Sequence, residues 1–149
     1  MLDLLLALGH HFLVFGLAAV LAAEAALVQP GMDGPRLKTL STLDRTYGLF
    51  AVLILIVGFL RVFYGVRGPE FFLTNPWFWA KIACFVVVGI LSAPPSIRFF
   101  AWQRQAREDG AYTVSEREVR RVRGFFIAEI VVFAFIPLFA AAMVRVPFL

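Results

Sequence analysis

Apolar residues form four long runs along the chain, and short polar stretches separate them. A helix rises about 1.5 Å per residue and the hydrocarbon core of a bilayer is about 30 Å thick, so about 20 apolar residues span it. The runs are long enough to do so, and each is predicted to form one transmembrane helix. They cover about 4–28, 47–65, 77–93 and 125–144.

Polar residues before three of the runs predict helix starts. The cluster Ser41-Thr42-Leu43-Asp44 offers side-chain oxygens that can cap the second helix. Pro76 suits the first turn of the third helix, because its missing N–H would be unpaired there in any case. Ser115 and Glu118 have the spacing of a capping box ahead of the fourth helix.

Proline and glycine predict where the runs end or bend. The first run stops at Gln29-Pro30-Gly31. Pro94-Pro95 is expected to kink or end the third helix before the aromatic segment 99–102, because proline lacks the backbone donor that a helix interior needs. Pro137 is expected to bend the fourth helix.

The composition indicates that the apolar helices belong to a membrane protein. Apolar residues make up 61% of the 149 residues and charged residues 16%, against about 45–50% and about 25% in soluble domains. The single cysteine, Cys84, excludes an internal disulfide, a cysteine-based zinc site and a four-thiolate iron–sulfur cluster. We predict an all-α integral membrane four-helix bundle formed by one domain, residues 1–149.

The first run also has a rival interpretation as a secretory signal peptide. Such a peptide has a basic start and a core of about 7–15 apolar residues. Here Asp3 stands near the start and the apolar run is about 25 residues long. We therefore expect it to be a retained transmembrane helix.

The distribution of lysine and arginine predicts the orientation in the membrane. Cytoplasmic loops carry an excess of these residues. Of the 14 in the chain, all but Arg61, Arg67, Lys81 and Arg145 lie on the face of the first and third loops. Both termini are therefore expected to be extracytoplasmic, in a bacterial inner (plasma) membrane. The basic cluster at 117–123 precedes a span, which favours lipid contact over nucleic-acid binding.

Ionisable residues at membrane depth are costly and count as functional hypotheses. His10, Glu24, Arg61, Lys81 and Glu129 lie inside the predicted spans. Fourteen residues of helix bring His10 within about 40° of Glu24, so the two are expected to share an inward face. The neighbouring residue His11 lies well round the helix.

Depth sorts these polar residues into two layers. His10, Arg61 and Lys81 form an outer layer; Glu24, Asp44, Arg45 and Glu129 form an inner layer in which Arg45 is available to neutralise the acids. Structural roles compete with functional ones in both layers. The outer cations can extend to the headgroups, the inner acids can pair with arginines to join helices, and the histidine can bond to a neighbouring helix.

The outer layer has the residue types that a haem requires. His10 is the candidate axial and metal ligand, and Arg61 with Lys81 can pair with the two propionates. Because adjacent histidines cannot reach opposite faces of one haem, the second ligand must come from elsewhere than His11. Met143 is available, since it lies fourteen residues after Glu129 and near the outer edge of the fourth helix. Methionine at such a position also packs as an ordinary core residue.

Several motifs resemble a bacterial four-helix predicted membrane protein family of unknown function. That family is distantly similar to copper-resistance-D-like bundles and to the J-type membrane protoporphyrinogen oxidase, in which a helix-one histidine binds haem b. The resemblance implies that His10 or His11 is the ligand and that Lys81 is the helix-three cation. The motifs are Gly9-His10-His11, Asp44-Arg45-Thr46-Tyr47-Gly48, Gly58-Phe59-Leu60-Arg61-Val62-Phe63-Tyr64-Gly65, Phe78-Trp79-Ala80-Lys81, Leu91-Ser92-Ala93-Pro94-Pro95 and Ile136-Pro137-Leu138 with Met143.

These features favour a membrane protein that binds a porphyrin, with haem b as the expected cofactor and a redox or cofactor-handling role. A non-catalytic accessory subunit of a larger membrane complex, or a homo-oligomer, is the alternative; the aromatic segment 99–102 would then contact the partner. A proton or copper transporter that uses the inner acids is a third hypothesis. Hydrolases and transferases are disfavoured, because the sequence lacks their nucleophile and phosphate-loop motifs.

Overall fold

The described part of the chain folds into five α-helices, four of which are long and apolar enough to cross a membrane. A computed structural model describes residues 1–146. The spanning helices are α1, α2, α4 and α5, and α3 is a short helix between the second and third spans. The helices are α1 Leu2–Leu27, α2 Gly34–Tyr64, α3 Gly68–Leu73, α4 Pro76–Glu108 and α5 Glu116–Arg145. The expectation of an all-helical membrane bundle is therefore confirmed.

The four long helices are antiparallel to their chain neighbours, so the bundle has two distinct ends. The loop end contains 28–33 and 109–115, which are joined by the hydrogen bond from the Gly31 N–H to the Val114 carbonyl, 2.9 Å. The terminal end contains the start of α1, the α2–α4 connection and the end of α5. There the Asn75 side chain donates to the Met143 carbonyl at 3.1 Å.

The start of α2 corrects the predicted cap at Ser41-Thr42-Leu43-Asp44. The helix begins two turns or more earlier, at Gly34, where the Asp33 carboxylate accepts the Arg36 N–H at 3.3 Å and Pro35 fixes the first turn. The capping cluster therefore lies inside the helix. Of its residues, Ser41 and Asp44 face the core, because they repeat at helical spacing with Leu37 and Leu40 and all four are buried.

An end or a kink was predicted for the third span at Pro94-Pro95. The span does not end there. Helix α4 continues through both prolines to Glu108, and α5 continues through Pro137. Membrane helices tolerate proline because neighbouring groups satisfy the freed carbonyls. The predicted starts of these two helices are confirmed: Asn75 caps α4 with Pro76 in its first turn, and Ser115 and Glu118 form a capping box.

Packing is tight at the loop end and loose at the terminal end. Helices α2 and α4 are about 46 and 50 Å long, so they exceed the bilayer core. Their loop-end extensions surround Trp102, which is 1% exposed and donates to Glu118 at 3.1 Å. Arg123 on α5 donates to the Val28 carbonyl at 3.1 Å and joins α5 to the end of α1. Towards the terminal end a cavity lies between these helices.

Candidate functional site

A cavity of about 550 Å³ occupies the terminal half of the bundle, where side chains from α1, α2, α3, α4 and α5 line it. Its volume lies within the range of about 300–1,000 Å³ that is usual for small-molecule and cofactor sites. Most of the lining is aliphatic or aromatic. The polar members are His10, His11, Arg61 and Lys81, and Met143 supplies a thioether. The five residues predicted to bind the cofactor thus line one cavity.

His10 reaches the cavity because it lies opposite a glycine. A Cβ atom placed on Gly58 of α2 would be 3.4 Å from Cε1 of the His10 ring, so the ring occupies the space that a side chain at position 58 would need. The His10 side chain is half-buried, and its Nδ1 is fully buried without a hydrogen-bond partner among the described residues. The His10 side chain thus lines the cavity with a ring nitrogen that has no protein partner within residues 1–146.

His11 has a different environment although it is the next residue. Its side chain is exposed, and its Nδ1 donates to the Ala7 carbonyl one turn earlier at 2.6 Å. The two rings are perpendicular, with centroids 6.3 Å apart. His11 touches the rim of the cavity, whereas His10 lies within the helix packing.

Arg61 on α2 and Lys81 on α4 bring two positive charges to the same cavity. Both side chains are half-buried, and within residues 1–146 neither forms an ion pair. The Arg61 Nε is fully buried without a hydrogen-bond partner in that range. The Lys81 ammonium lies 5.0 Å from the centroid of the Phe78 ring, within reach of a cation–π attraction. Both groups can therefore accept an anionic ligand.

Met143 closes the terminal end of the cavity. Its side chain is buried against Val62, Phe72 and Phe78, and it belongs to a small apolar cluster separate from the main core. Its carbonyl is fixed by the buried Asn75 side chain. The thioether thus has both a packing role and access to the cavity.

The inner layer is a buried cluster of three carboxyl groups from three helices. Glu24 of α1, Asp44 of α2 and Glu129 of α5 are 3%, 8% and 1% exposed. The Tyr47 hydroxyl donates to Glu129 Oε1 at 2.5 Å, and the Ser96 hydroxyl donates to Asp44 Oδ1 at 2.5 Å. The Glu24 carboxyl group has no hydrogen bond among the described residues, and its Oε1 is fully buried.

Arginine does not neutralise this cluster as the sequence suggested. Arg45 is exposed and its guanidinium lies 5.9 Å from the centroid of the Phe100 ring, while Arg123 donates to the Val28 carbonyl. The ion pairs within residues 1–146 are the surface pairs Arg104–Glu108 and Arg120–Glu116. Arg45 therefore forms no ion pair with the three carboxyl groups within the described residues, although its charge is close enough to act on Asp44.

Sequence reasoning missed Tyr47 and Ser96, which are the donors of the inner layer. The spacing of Ser41, Asp44 and Tyr47, three residues apart, places them on one helix face and would have indicated a polar contact. Ser96 offered no comparable signal, because it follows two prolines that were expected to disrupt the helix.

A smaller cavity of about 310 Å³ lies between α2 and α4 beside this cluster. Asp44, Tyr47 and Ser96 line it, together with Gly48 and Gly89, where an added side chain would meet open space. Leu17 and Phe85 line both cavities. These two apolar side chains therefore separate the acidic cluster from the outer cationic site.

These observations define a multi-pass helical membrane protein with a cationic cavity at one end and buried carboxyl groups near the other. Residues 2–146 match the family model described as Predicted membrane protein (DUF2214), and the chain belongs to that family. Neither the curated proteins nor the solved structures contain a match. Within residues 1–146, no three His, Cys, Asp or Glu side chains are grouped so that they could hold a metal ion.

Proposed function

We propose that this protein binds a porphyrin, most specifically haem b, in the cavity at the terminal end of the bundle. The observation that carries the proposal is the placement of one imidazole and two cations, which form no ion pair within residues 1–146, around a single, mostly apolar space. His10 would supply the axial nitrogen, and Arg61 and Lys81 would pair with the propionates. Haem, when bound, supplies one-electron redox chemistry, which agrees with a redox or cofactor-handling role.

The residues present fit this group in three respects. The apolar lining suits the macrocycle, the cations lie close to the expected membrane interface, and His10 has a nitrogen free of protein hydrogen bonds. A haem iron needs one or two axial ligands and no cluster of several metal-binding side chains. Met143 is the thioether available to the second axial position, and His/Met ligation is an established haem arrangement.

The proposal assigns the ligand to His10 and not to His11. A ligating histidine must direct a free nitrogen into a dry space, and the half-buried ring against Gly58 satisfies this condition. His11 is exposed and bonded to its own helix. The distant resemblance to haem-binding bundles, which left these two histidines as alternatives, supports the same cofactor class.

The orientation of the protein in the membrane is also part of the proposal. Ten of the fourteen lysines and arginines belong to the loop end, so we place that end in the cytoplasm of a bacterial cell and both termini outside. The haem would then lie in the outer half of the inner membrane. Reporter fusions to the C-terminus test this: alkaline phosphatase should be active and green fluorescent protein dark.

Haem reconstitution tests the binding directly. The protein is purified in mild detergent, titrated with haemin and followed by its Soret absorption. The wild type and the matched control His11→Ala should both give a saturable band, whereas His10→Ala should not. Unchanged binding in His10→Ala, or a wild type that gives only the spectrum of free haemin, would contradict the proposal.

A further inference from the structure

We infer that Glu24 is a proton-binding site, which exchanges its proton with water through the smaller cavity between α2 and α4. This inference does not depend on haem binding, because the acidic cluster and the cationic cavity are separated by Leu17 and Phe85. The bond that forms is an O–H bond on the Glu24 carboxylate. Water at the loop end supplies the proton, and no electron is transferred.

Burial without a partner carries the inference. Glu24 is 3% exposed, and within residues 1–146 its carboxyl group receives no hydrogen bond and forms no ion pair. An ionised carboxylate in such a place is far more costly than a neutral acid. Asp44 and Glu129 lie close enough for their charges to act on Glu24, and both would repel a further negative charge.

Two of the three hydroxyl donors in the inner layer are already in use, and the third, Ser41 Oγ, is buried without a partner within residues 1–146. Tyr47 has one hydroxyl hydrogen, which it donates to Glu129 Oε1, and the Ser96 hydroxyl is directed at Asp44. This leaves Glu129 Oε2 buried with a free acceptor position. A proton on Glu24 would turn that carboxyl from an acceptor into a hydrogen-bond donor.

The charged and titratable groups facing Glu24 come from the neighbouring helices. Helix α2 contributes Asp44 and Tyr47, and α5 contributes Glu129; from α4, the Ser96 hydroxyl contacts Asp44. The arginines nearest in sequence to Asp44 and Glu129 are Arg45 and Arg123. Arg45 contacts the Phe100 ring, and Arg123 donates to the Val28 carbonyl. Neither arginine therefore forms an ion pair with the three carboxyl groups within residues 1–146.

Access for the proton is provided by the smaller cavity. Asp44, Tyr47 and Ser96 line it, so its wall carries the polar groups next to Glu24 and Glu129. The exposed residue Arg45 also lines it and marks its opening towards the basic loop end. Gly48 and Gly89 leave its wall open, because a Cβ on either would meet nothing within 4 Å.

Infrared spectroscopy of the protein in lipid bilayers at neutral pH tests the inference. A protonated carboxyl group has a carbonyl stretch distinct from that of a carboxylate, and the band moves when the proton is replaced by deuterium. The spectrum of wild type minus that of Glu24→Gln should contain one such band, which shifts in D₂O. The matched control is Glu70→Gln, which changes an exposed acid on α3 and should give no acid band in the difference.

A second pair of variants tests the route. Gly89→Leu places a side chain in the smaller cavity and should slow the deuterium shift several-fold, while Gly124→Leu, at an exposed site on α5, should leave the rate unchanged. Should Glu24→Gln fail to fold, Glu24→Asp keeps an acid on a shorter stem and should move the band. A spectrum without an acid band attributable to position 24, or a band that never shifts in D₂O, would overturn the inference.

Discussion

The Tyr47 hydroxyl on α2 donates to the Glu129 carboxylate on α5 at 2.5 Å, although the residues are 82 positions apart in the chain. Glu129 is 1% exposed and Tyr47 is 6% exposed, so the hydrogen bond is buried within the bundle. A hydrogen bond of this kind between two spanning helices fixes how they pack. Within residues 1–146, the Tyr47 hydroxyl is the only side-chain group that donates a hydrogen bond to Glu129.

Removing this donor should weaken the bundle. Tyr47→Phe leaves Glu129 with both oxygens unpaired, and we expect a loss of about 1–2 kcal/mol, as for polar contacts between membrane helices. Tyr64→Phe is the matched control, because that tyrosine is 66% exposed. Thermal unfolding in detergent should show a lower midpoint for Tyr47→Phe alone. Equal midpoints for the two variants would show that the contact does not stabilise the fold.

Two glycines on α1 should respond oppositely to the same substitution. A Cβ on Gly16 would lie 2.7 Å from the Phe50 ring of α2, whereas a Cβ on Gly9 would meet nothing within 4 Å. Gly16→Ala should therefore lower stability by about 1–3 kcal/mol through overpacking. Gly9→Ala should raise it by about 0.5–1 kcal/mol, because alanine loses less conformational entropy in a helix. The same unfolding assay measures both, and a destabilised Gly9→Ala would argue against the α1–α2 packing described.

Filling the space beside His10 should block the cavity without removing any ligand. Gly58→Leu places a branched side chain where the His10 ring now lies, since even the Cβ would be 3.4 Å from Cε1. We expect at least a tenfold loss of haem affinity, about 1.4 kcal/mol, in the haemin titration. Gly124→Leu provides the control on an open helix surface. Normal affinity in Gly58→Leu would place the porphyrin somewhere else.

The two cations should contribute to affinity through the propionates. Hydrogen bonds to charged groups contribute about 1.5–3 kcal/mol, so Arg61→Gln and Lys81→Gln should each weaken haem binding about tenfold or more. Arg67→Gln is the control, because that guanidinium is exposed over the Phe71 ring, 4.5 Å from its centroid. The Arg61 and Lys81 variants should lose less affinity for a haem whose propionates are esterified than for haemin. An equal loss for both pigments would show that these residues do not contact the carboxylates.

Hydrophobicity was sufficient to predict the four spans but not the full helices. The extension of α2 back to Gly34 is amphipathic, and Leu37, Leu40 and Asp44 mark its buried face. A search for apolar runs passes over such a segment, although Asp33 followed by Pro35 is a recognisable helix start. The continuation of α4 through Pro94 and Pro95 depends on the neighbouring helices, which the local sequence does not describe.

Helical phase also explains which site residues could be anticipated. His10 and Glu24 were placed on one inward face by spacing alone, and both are at least half-buried in the structure. The absence of an arginine partner for Glu24 could not be anticipated, because it depends on Arg45 pointing towards Phe100 and not into the bundle. The direction of the Arg45 side chain is decided by tertiary contacts, as is the Tyr47–Glu129 bond.

The most direct test of porphyrin binding is the absorption spectrum of haemin-titrated protein, measured for His10→Ala and for His11→Ala. The account predicts a saturable Soret band in the wild type and in His11→Ala, and its loss in a folded His10→Ala. A band of equal strength in both variants, or no specific band in the wild type, would contradict the assignment of the cavity to a porphyrin.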